Sequence, residues 1–78
     1  MGIGKTQHKQ LKVLGERLKT IRKDKCLTLK ELGYKIDKDP QSISRVEMGD
    51  INPTYLYLLD MCKGLDIEID ELLKELKS

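Results

Sequence analysis

The strongest constraint on the fold lies between Thr28 and Gly49, where the sequence predicts two short helices joined by a tight turn. In the second of these helices Ile43 and Val46 stand three positions apart, so they share a face that must point into a core. The opposite face carries Gln41, Ser44, Arg45 and Met48. Gln, Ser and Arg side chains can hydrogen-bond to base edges in the major groove of DNA. A helix with one apolar and one such polar face is typical of a helix that docks on DNA.

Capping residues support the boundaries of this pair of helices. Thr28 and Glu31 stand three positions apart at the start of the first helix, where they predict a capping box. Asp37 in the turn is expected to take the left-handed conformation, which Asp adopts more readily than most residues other than Gly. Asp39 is expected to cap the second helix, with Pro40 in its first position.

Apolar residues at helical spacing predict three more helices and no strand. One is expected to run from about Lys9 to Lys25, a fourth to begin at Pro53-Thr54, and a fifth to begin near Ile69. The chain has no Phe or Trp, so the core must be largely aliphatic, which suits a bundle of short helices. The expected core faces of these helices are Leu11, Leu14, Leu18 and Ile21; Tyr55, Leu58, Cys62 and Leu65; and Ile69, Leu72, Leu73 and Leu76. The sequence therefore predicts an all-α fold, a compact five-helix bundle.

The length and the distribution of charge bound the domain organisation. A chain of 78 residues is expected to form one small domain, with residues 1–8 as a flexible basic arm and residues 9–78 as the folded part. Residues 1–30 hold nine Lys and Arg against two acidic residues, a net charge of +7. Residues 46–78 hold three Lys against eight acidic residues, a net charge of −5. This asymmetry suggests that one end faces a polyanion, although a solvated Lys-rich helix gives the same pattern.

Several classes of protein are disfavoured by what the sequence lacks. Cys26 and Cys62 are too few and too isolated for a disulfide framework or a zinc site, and His8 has no second ligand nearby in the sequence. We expect reduced thiols, with Cys62 in the core. No apolar run has transmembrane length and no signal-peptide core follows Met1, which predicts a cytoplasmic protein without a membrane partner. Without a nucleophile–base constellation or a cofactor fingerprint, the sequence predicts no enzyme, no cofactor and no metal.

Several short pieces follow one another in a defined order between Leu14 and Leu73. They are Leu14-Gly15-Glu16-Arg17-Leu18, Arg22, Thr28, Leu32-Gly33, Ile43-Ser44-Arg45-Val46-Glu47 with Gly49, Asn52-Pro53, and Leu65-Asp66-Ile67 leading to Glu71-Leu72-Leu73. In joint order and spacing they resemble the phage-repressor/Cro-type helix-turn-helix family of bacterial and phage regulators. The resemblance implies a lambda-repressor-like bundle in which the second and third helices form the helix-turn-helix. It also implies binding of double-stranded DNA as a homodimer, on a two-fold operator whose half-sites lie about one helical turn apart.

Three positions depart from the pattern of the family. The Gln that often follows the cap of the second helix is Leu29, the turn Gly is Asp37, and the small apolar residue after it is Lys38. The usual Gln contact is therefore missing, and Lys30 or Lys38 is expected to supply a phosphate contact instead. Asp37 and its acidic neighbour at the next cap bring negative charge close to DNA, which should lower non-specific affinity.

Within this framework we expect base contacts from Pro40, Gln41, Ser44 and Arg45. Gln41 can make a bidentate contact to adenine, or it is an ordinary exposed helical residue. Arg45 can fork onto guanine or bind a phosphate, and the sequence does not choose between the two. Pro40 can touch a thymine methyl group. Ser42 is expected to face the second helix and to make a local hydrogen bond.

The expected phosphate contacts are Thr28, Lys30, Lys38 and Asn52. Asn52 stands in the loop before the fourth helix, where members of the family clamp the DNA backbone. A cap before Pro53 is an equally good interpretation of this asparagine.

Two structural contacts complete the sequence interpretation. The resemblance implies a partly buried ion pair between Arg22 and Glu47, which would fix the angle of the third helix. The last two helices carry more leucine than one small core needs. We expect a dimer contact from Leu56, Leu59, Leu73 and Leu76, unless all four pack inside.

The leading functional prediction is a sequence-specific DNA-binding transcriptional regulator that acts as a homodimer. One alternative keeps the DNA contact and makes the protein an antitoxin with a toxin partner, or a restriction-modification controller. Another is a protein-interaction module that has lost DNA binding, for which the missing Gln and the acidic turn leave room.

Overall fold

A computed structural model describes residues 4–74 and residue 76. Across these residues the chain forms five α-helices and no strand: α1 (Lys5–Asp24), α2 (Leu29–Ile36), α3 (Pro40–Glu47), α4 (Tyr55–Leu65) and α5 (Ile69–Leu73). α1 packs on α3, α2 packs on both α3 and α4, and α5 packs on α4. The predicted five-helix all-α bundle is confirmed. None of these helices combines the length and the apolar character needed to span a membrane.

α1 begins at Lys5, four residues before the predicted start at Lys9. Its N-cap is Gly4, whose amide donates to Oε1 of Gln7 at 3.3 Å and whose carbonyl accepts from the amide of His8 at 2.8 Å. Residues 5–8 of the predicted flexible arm are therefore helical, and residues 1–3 lie outside the described part. Apolar periodicity missed this first turn because all its side chains are polar and exposed.

The local signals around the helix-turn-helix behave as predicted. Oγ1 of Thr28 accepts from the amide of Glu31 at 3.0 Å, and Oε1 of Glu31 accepts from the amide of Thr28 at 2.9 Å, which closes the capping box. Asp37 is left-handed, with φ 57° and ψ 47°. Asp39 is the N-cap of α3 and Pro40 is its first residue. Since each of these signals acts over a few residues, α2, the turn and α3 are set mainly by local sequence.

The core is aliphatic, as the composition requires. It consists of Leu18, Ile21, Leu32, Ile43, Val46, Met61, Cys62, Leu65 and Leu72. Fully burying a side chain of this size contributes about 1.5–3 kcal/mol of transfer free energy. Burial raises the pKa of the Cys62 thiol, and the nearby carboxylates of Glu68 and Glu71 raise it further. Cys62 is therefore held as a neutral thiol, in line with the prediction that it is a small core residue.

α4 turns most of the predicted face to the core, since Leu58, Cys62 and Leu65 lie on it and only Tyr55 does not. Tyr55, which was expected to be internal, is 63% exposed, whereas Met61 is fully buried. The internal face is built on Leu58, Met61, Cys62 and Leu65, with Tyr57 packed against its edge. Tyr55 was assigned to this face because it stands three positions before Leu58. In the structure the face begins at Tyr57, two residues later. α5 is short, so Leu76 lies beyond its end.

Candidate nucleic-acid interface

The outer face of α3 presents Gln41 and Arg45 to solvent, one helical turn apart. The opposite face carries Ile43 and Val46, whose exposed fractions are 0% and 1%. α3 is therefore anchored by its apolar back, and its polar front is open to a partner. Ser44 on the front is half-buried, as is Pro40 at the start of the helix.

Neither Gln41 nor Arg45 uses its side chain within the part of the protein that the structure describes. Among the described residues, neither side chain makes a hydrogen bond or a salt bridge. The amide group of Gln and the five N–H donors of Arg are thus available to an external acceptor. Burying such groups without partners would be costly, so their exposure fits a polar ligand surface.

The two ends of α3 are closed in different ways. At the first turn, Oδ1 of Asp39 accepts from the amide of Gln41 at 3.2 Å, which places a carboxylate where a phosphate would otherwise be favoured. At the last turn, Gly49 is left-handed with φ 77°, and the amide of Asp50 donates to the carbonyl of Arg45 at 2.9 Å. The capped N-terminus favours readout by side chains over anion binding by the backbone.

The structure contains the ion pair between Arg22 and Glu47 that the resemblance implies. Nε of Arg22 donates to Oε2 of Glu47 at 2.7 Å, and Nη2 donates to Oε1 at 3.0 Å. A third donor, Nη1, reaches the carbonyl of Leu27 at 2.7 Å. The two side chains are only 7% and 3% exposed. The guanidinium therefore joins α1, the end of α3 and the connection to α2 through three hydrogen bonds.

Three of the four expected phosphate contacts are exposed: Thr28, Lys30 and Asn52. Thr28 supplies both hydrogen bonds that lower the pKa of Glu31, the larger effect coming from its backbone amide. Asn52 is not a helix cap, because Oγ1 of Thr54 accepts from the amide of Tyr57 at 3.1 Å and caps α4. The structure thus removes the competing interpretation of Asn52 and leaves its side chain open to solvent.

The fourth expected phosphate contact, Lys38, is occupied within the protein. Its Nζ lies 3.1 Å from Oδ2 of Asp60 and 5.0 Å from the centroid of the Tyr57 ring. Sequence spacing did not reveal this, because Asp60 and Tyr57 belong to α4. Of the two lysines expected to replace the missing Gln contact, only Lys30 is without an internal ion pair among the described residues.

Ser42 turns toward α4, and the prediction that it faces the second helix was wrong. Its Oγ lies 2.7 Å from the hydroxyl of Tyr57 and donates to the carbonyl of Asp39 at 2.9 Å. The expected local hydrogen bond, to the carbonyl of Asp39, is present. The contact with Tyr57 was not predicted, because the sequence does not show which side of α4 faces α3.

The four leucines of the expected dimer contact lie outside the core. Leu56 is 70% exposed and Leu73 is 46% exposed, while Leu59 and Leu76 are half-buried. An open groove of about 600 Å³ runs along α4 and α5. Its lining includes Leu56, Leu59, Ile67 and Ile69 together with the acidic side chains of Asp60, Asp66, Glu68 and Glu71.

Two residues that sequence reasoning passed over help to position α3. Gly15 lets α1 approach α3 so closely that an added Cβ would meet the backbone of Val46 and Glu47. A glycine inside a helix lowers its stability, so a glycine among the leucines of a helical face indicates close packing. This pattern in the sequence could have identified Gly15. Tyr57 had no comparable signal, since its role depends on Ser42 in another helix.

These features define a helix-turn-helix protein whose third helix presents a polar face. A family model described as helix-turn-helix, of the Cro/C1 type, matches residues 18–72. The chain belongs to this family, whose members bind double-stranded DNA as regulators and are not enzymes. A comparison with curated protein sequences gave no match.

Solved structures of regulators share the fold. The restriction-modification controller protein C.AhdI from Aeromonas hydrophila is 32% identical, with a TM-score of 0.77 over 80% of this chain and 94% of that one. The clp gene regulator ClgR from C. glutamicum is 29% identical, with a TM-score of 0.81 over 85% of each chain. A tyrosine-to-phenylalanine mutant of the restriction-modification controller protein C.Esp1396I is 30% identical, with a TM-score of 0.80 over 86% of this chain and 85% of that one. The protein is a DNA-binding regulator of the helix-turn-helix class.

Proposed function

We propose that the protein is a sequence-specific transcription regulator that binds a two-fold operator as a homodimer in the cytoplasm. The observation that carries this proposal is the solvent-open pair Gln41 and Arg45 on the front of a helix with a buried back. Gln41 is suited to adenine and Arg45 to guanine, each in a bidentate contact. Ser44 lies between them and Pro40 precedes them, within reach of the same groove.

Phosphate contacts would set the register of this helix on the duplex. Thr28, Lys30 and Asn52 are the candidates that solvent reaches freely. Thr28 still has its hydroxyl proton to donate, because in the capping box its oxygen only accepts. Lys38 lies beside Asp60 in an exposed ion pair, so its phosphate contact stays a prediction of the sequence.

In vitro selection of bound duplexes from a random library tests this function. We expect an enriched palindrome with half-sites of four or five base pairs, their centres about one helical turn apart. Gln41→Ala and Arg45→Ala should each lower base discrimination at a different position of the palindrome, because each bidentate contact contributes about 1–3 kcal/mol of discrimination. Thr20→Ala, on an exposed position of α1, serves as the control. A library that emerges without any enriched motif would contradict sequence-specific binding.

The homodimer is proposed to form through the exposed leucines of α4 and α5. Leu56→Glu is expected to convert the dimer to a monomer, since a charge placed in an apolar two-fold contact is repeated on both copies. The monomer fold should persist, because Leu56 is 70% exposed. Sedimentation of the variant over a range of concentrations measures the change.

Val13→Glu is the matched control, since Val13 is an exposed apolar residue on α1. It should leave the dimer unchanged. A dimer that survives both Leu56→Glu and Leu73→Glu would show that the contact lies elsewhere, and a wild type that is monomeric on DNA would contradict the two-fold model.

Control of a restriction-modification system is a second, narrower candidate. It is favoured by the identities of 32% and 30% to two restriction-modification controller proteins over most of both chains. If it holds, the selected palindrome should occur upstream of adjoining methyltransferase and endonuclease genes. A palindrome found only at unrelated promoters would favour a general regulator. The toxin partner of the antitoxin alternative stays a prediction of the sequence.

A further inference from the structure

Four side chains tie the first turn of α3 and the turn before it to α4. The Tyr57 hydroxyl lies 2.7 Å from Oγ of Ser42 in α3. The ammonium group of Lys38, in the turn, lies 5.0 Å from the centroid of the Tyr57 ring and 3.1 Å from Oδ2 of Asp60. Tyr57 is therefore held by its hydroxyl on one side and by a cation on its ring face.

Counting protons gives the direction of the central hydrogen bond. Oγ of Ser42 carries one proton, and it donates that proton to the carbonyl of Asp39 at 2.9 Å. The Tyr57 hydroxyl must then be the donor to Ser42. The result is a chain of two hydrogen bonds that begins on α4 and ends at the N-cap of α3, next to Gln41.

The opposite end of α3 is held by a different contact. Glu47, the last residue of the helix, is bound by two donors of Arg22 from α1. α3 is thus fixed near its end by an ion pair and near its start by a tyrosine hydroxyl. Of the residues expected to read bases, Ser44 and Arg45 lie between these two points, and Pro40 and Gln41 directly precede Ser42.

We propose that Tyr57 is a positioning residue for DNA readout. Its hydroxyl holds the first turn of α3 at the angle from which Gln41 reaches its base, and Lys38 with Asp60 keeps the ring in place. This inference rests on the proposed function, because it concerns the pose of a residue that touches DNA. It also gives Lys38 a structural role, because its ammonium group lies between the Tyr57 ring and Asp60.

The contribution of this cluster to stability is expected to be small. The side chains of Lys38 and Asp60 are 28% and 48% exposed, and exposed ion pairs contribute little. A single neutral hydrogen bond contributes about 1 kcal/mol, or roughly fivefold in an equilibrium constant. Gln41 directly precedes Ser42, so losing this hydrogen bond would change the orientation of Gln41. We therefore expect a larger effect on discrimination at one base position than on the stability of the fold.

Tyr57→Phe removes only the hydroxyl and keeps the ring for packing and for Lys38. The affinities of the wild type and of this variant are measured for the selected operator and for each of its single-base substitutions. Positions read by Gln41 and by Arg45 are identified beforehand with Gln41→Ala and Arg45→Ala. Tyr55→Phe is the matched control, since it removes the same group from a 63% exposed tyrosine of the same helix.

We expect Tyr57→Phe to lower discrimination about fivefold at the Gln41 position only, with the Arg45 position nearly unchanged and the melting temperature lowered by a few degrees. Ser42→Ala should have the same effect, and the double variant should add nothing further; Ser42→Ala also gives the readout if Tyr57→Phe does not fold. Undiminished discrimination at the Gln41 position, or equal losses at all positions, would overturn the inference while leaving the proposed function intact. Failure of the wild type to bind any duplex would overturn both.

Discussion

Glu47→Leu is expected to lower the free energy of unfolding by about 3–5 kcal/mol, because it leaves the buried Arg22 guanidinium without its counter-charge. Among the described residues, the Leu27 carbonyl alone would remain as an acceptor for that group. Arg22→Met should cost a similar amount, since it strands a carboxylate that is 3% exposed. Urea unfolding of both variants, followed by helical circular dichroism, measures the two losses.

The double variant Arg22→Met with Glu47→Leu decides whether the two residues act as a pair. Its loss is expected to be smaller than that of either single variant, because two apolar side chains can occupy the site without an unpaired charge. Lys38→Met with Asp60→Leu is a control pair, whose exposed charges should couple by less than about 1 kcal/mol. Strictly additive losses at Arg22 and Glu47 would contradict a coupled ion pair.

Gly15→Ala is expected to destabilise the protein by about 2 kcal/mol, despite the greater helix propensity of alanine. The added Cβ would lie 2.5 Å from the carbonyl oxygen of Val46 and 2.6 Å from the carbonyl carbon of Glu47, so the backbone of one helix has to move. Thermal and urea unfolding measure the loss. Glu16→Ala, at the next and exposed position of α1, should be close to neutral.

Gly15→Ala should also impair DNA binding, by more than its effect on stability explains. α1 and α3 would separate near the end of α3, where Arg45 and Glu47 lie, while Tyr57 still holds the start. We therefore expect a loss of discrimination at the Arg45 position under conditions in which Gly15→Ala is fully folded. A variant as stable as the wild type would show that the contact yields without cost.

Local sequence sufficed to predict the helix-turn-helix. The Thr28 box, the left-handed Asp37 and the Asp39 cap each act within a few residues, and all three have the predicted conformations. The alternation of Ile43 and Val46 with Gln41 and Arg45 likewise needed only the helical repeat. The conformation of this part of the chain therefore follows from signals within it.

Contacts between distant segments were predicted less well. The Arg22–Glu47 pair joins residues 25 positions apart, and it was accessible only through resemblance to a family. The contacts that Lys38 and Ser42 make with Tyr57 were not predicted, because they depend on the rotation of α4 about its axis. That rotation is decided by which side chains fill the core, and Tyr55 and Met61 fit the helical repeat about equally well.

The first turn of α1 shows a third kind of limit. Its side chains are polar and exposed, so no apolar pattern marks it, and only Gln7 at the third helical position of α1 signals the cap. An exposed turn of this kind adds little to the core. Its boundary could therefore not be derived from burial.

The most direct test of the central claim is the affinity of the protein for its selected duplex and for a shuffled duplex, measured over a series of salt concentrations. The wild type should prefer the selected duplex by about a thousandfold or more, and its affinity should fall steeply with salt. Gln41→Ala with Arg45→Ala should lose most of that preference and keep salt-dependent binding to both duplexes. Equal affinity of the wild type for the two duplexes, or no binding of either at low salt, would contradict the claim that the front of α3 reads DNA.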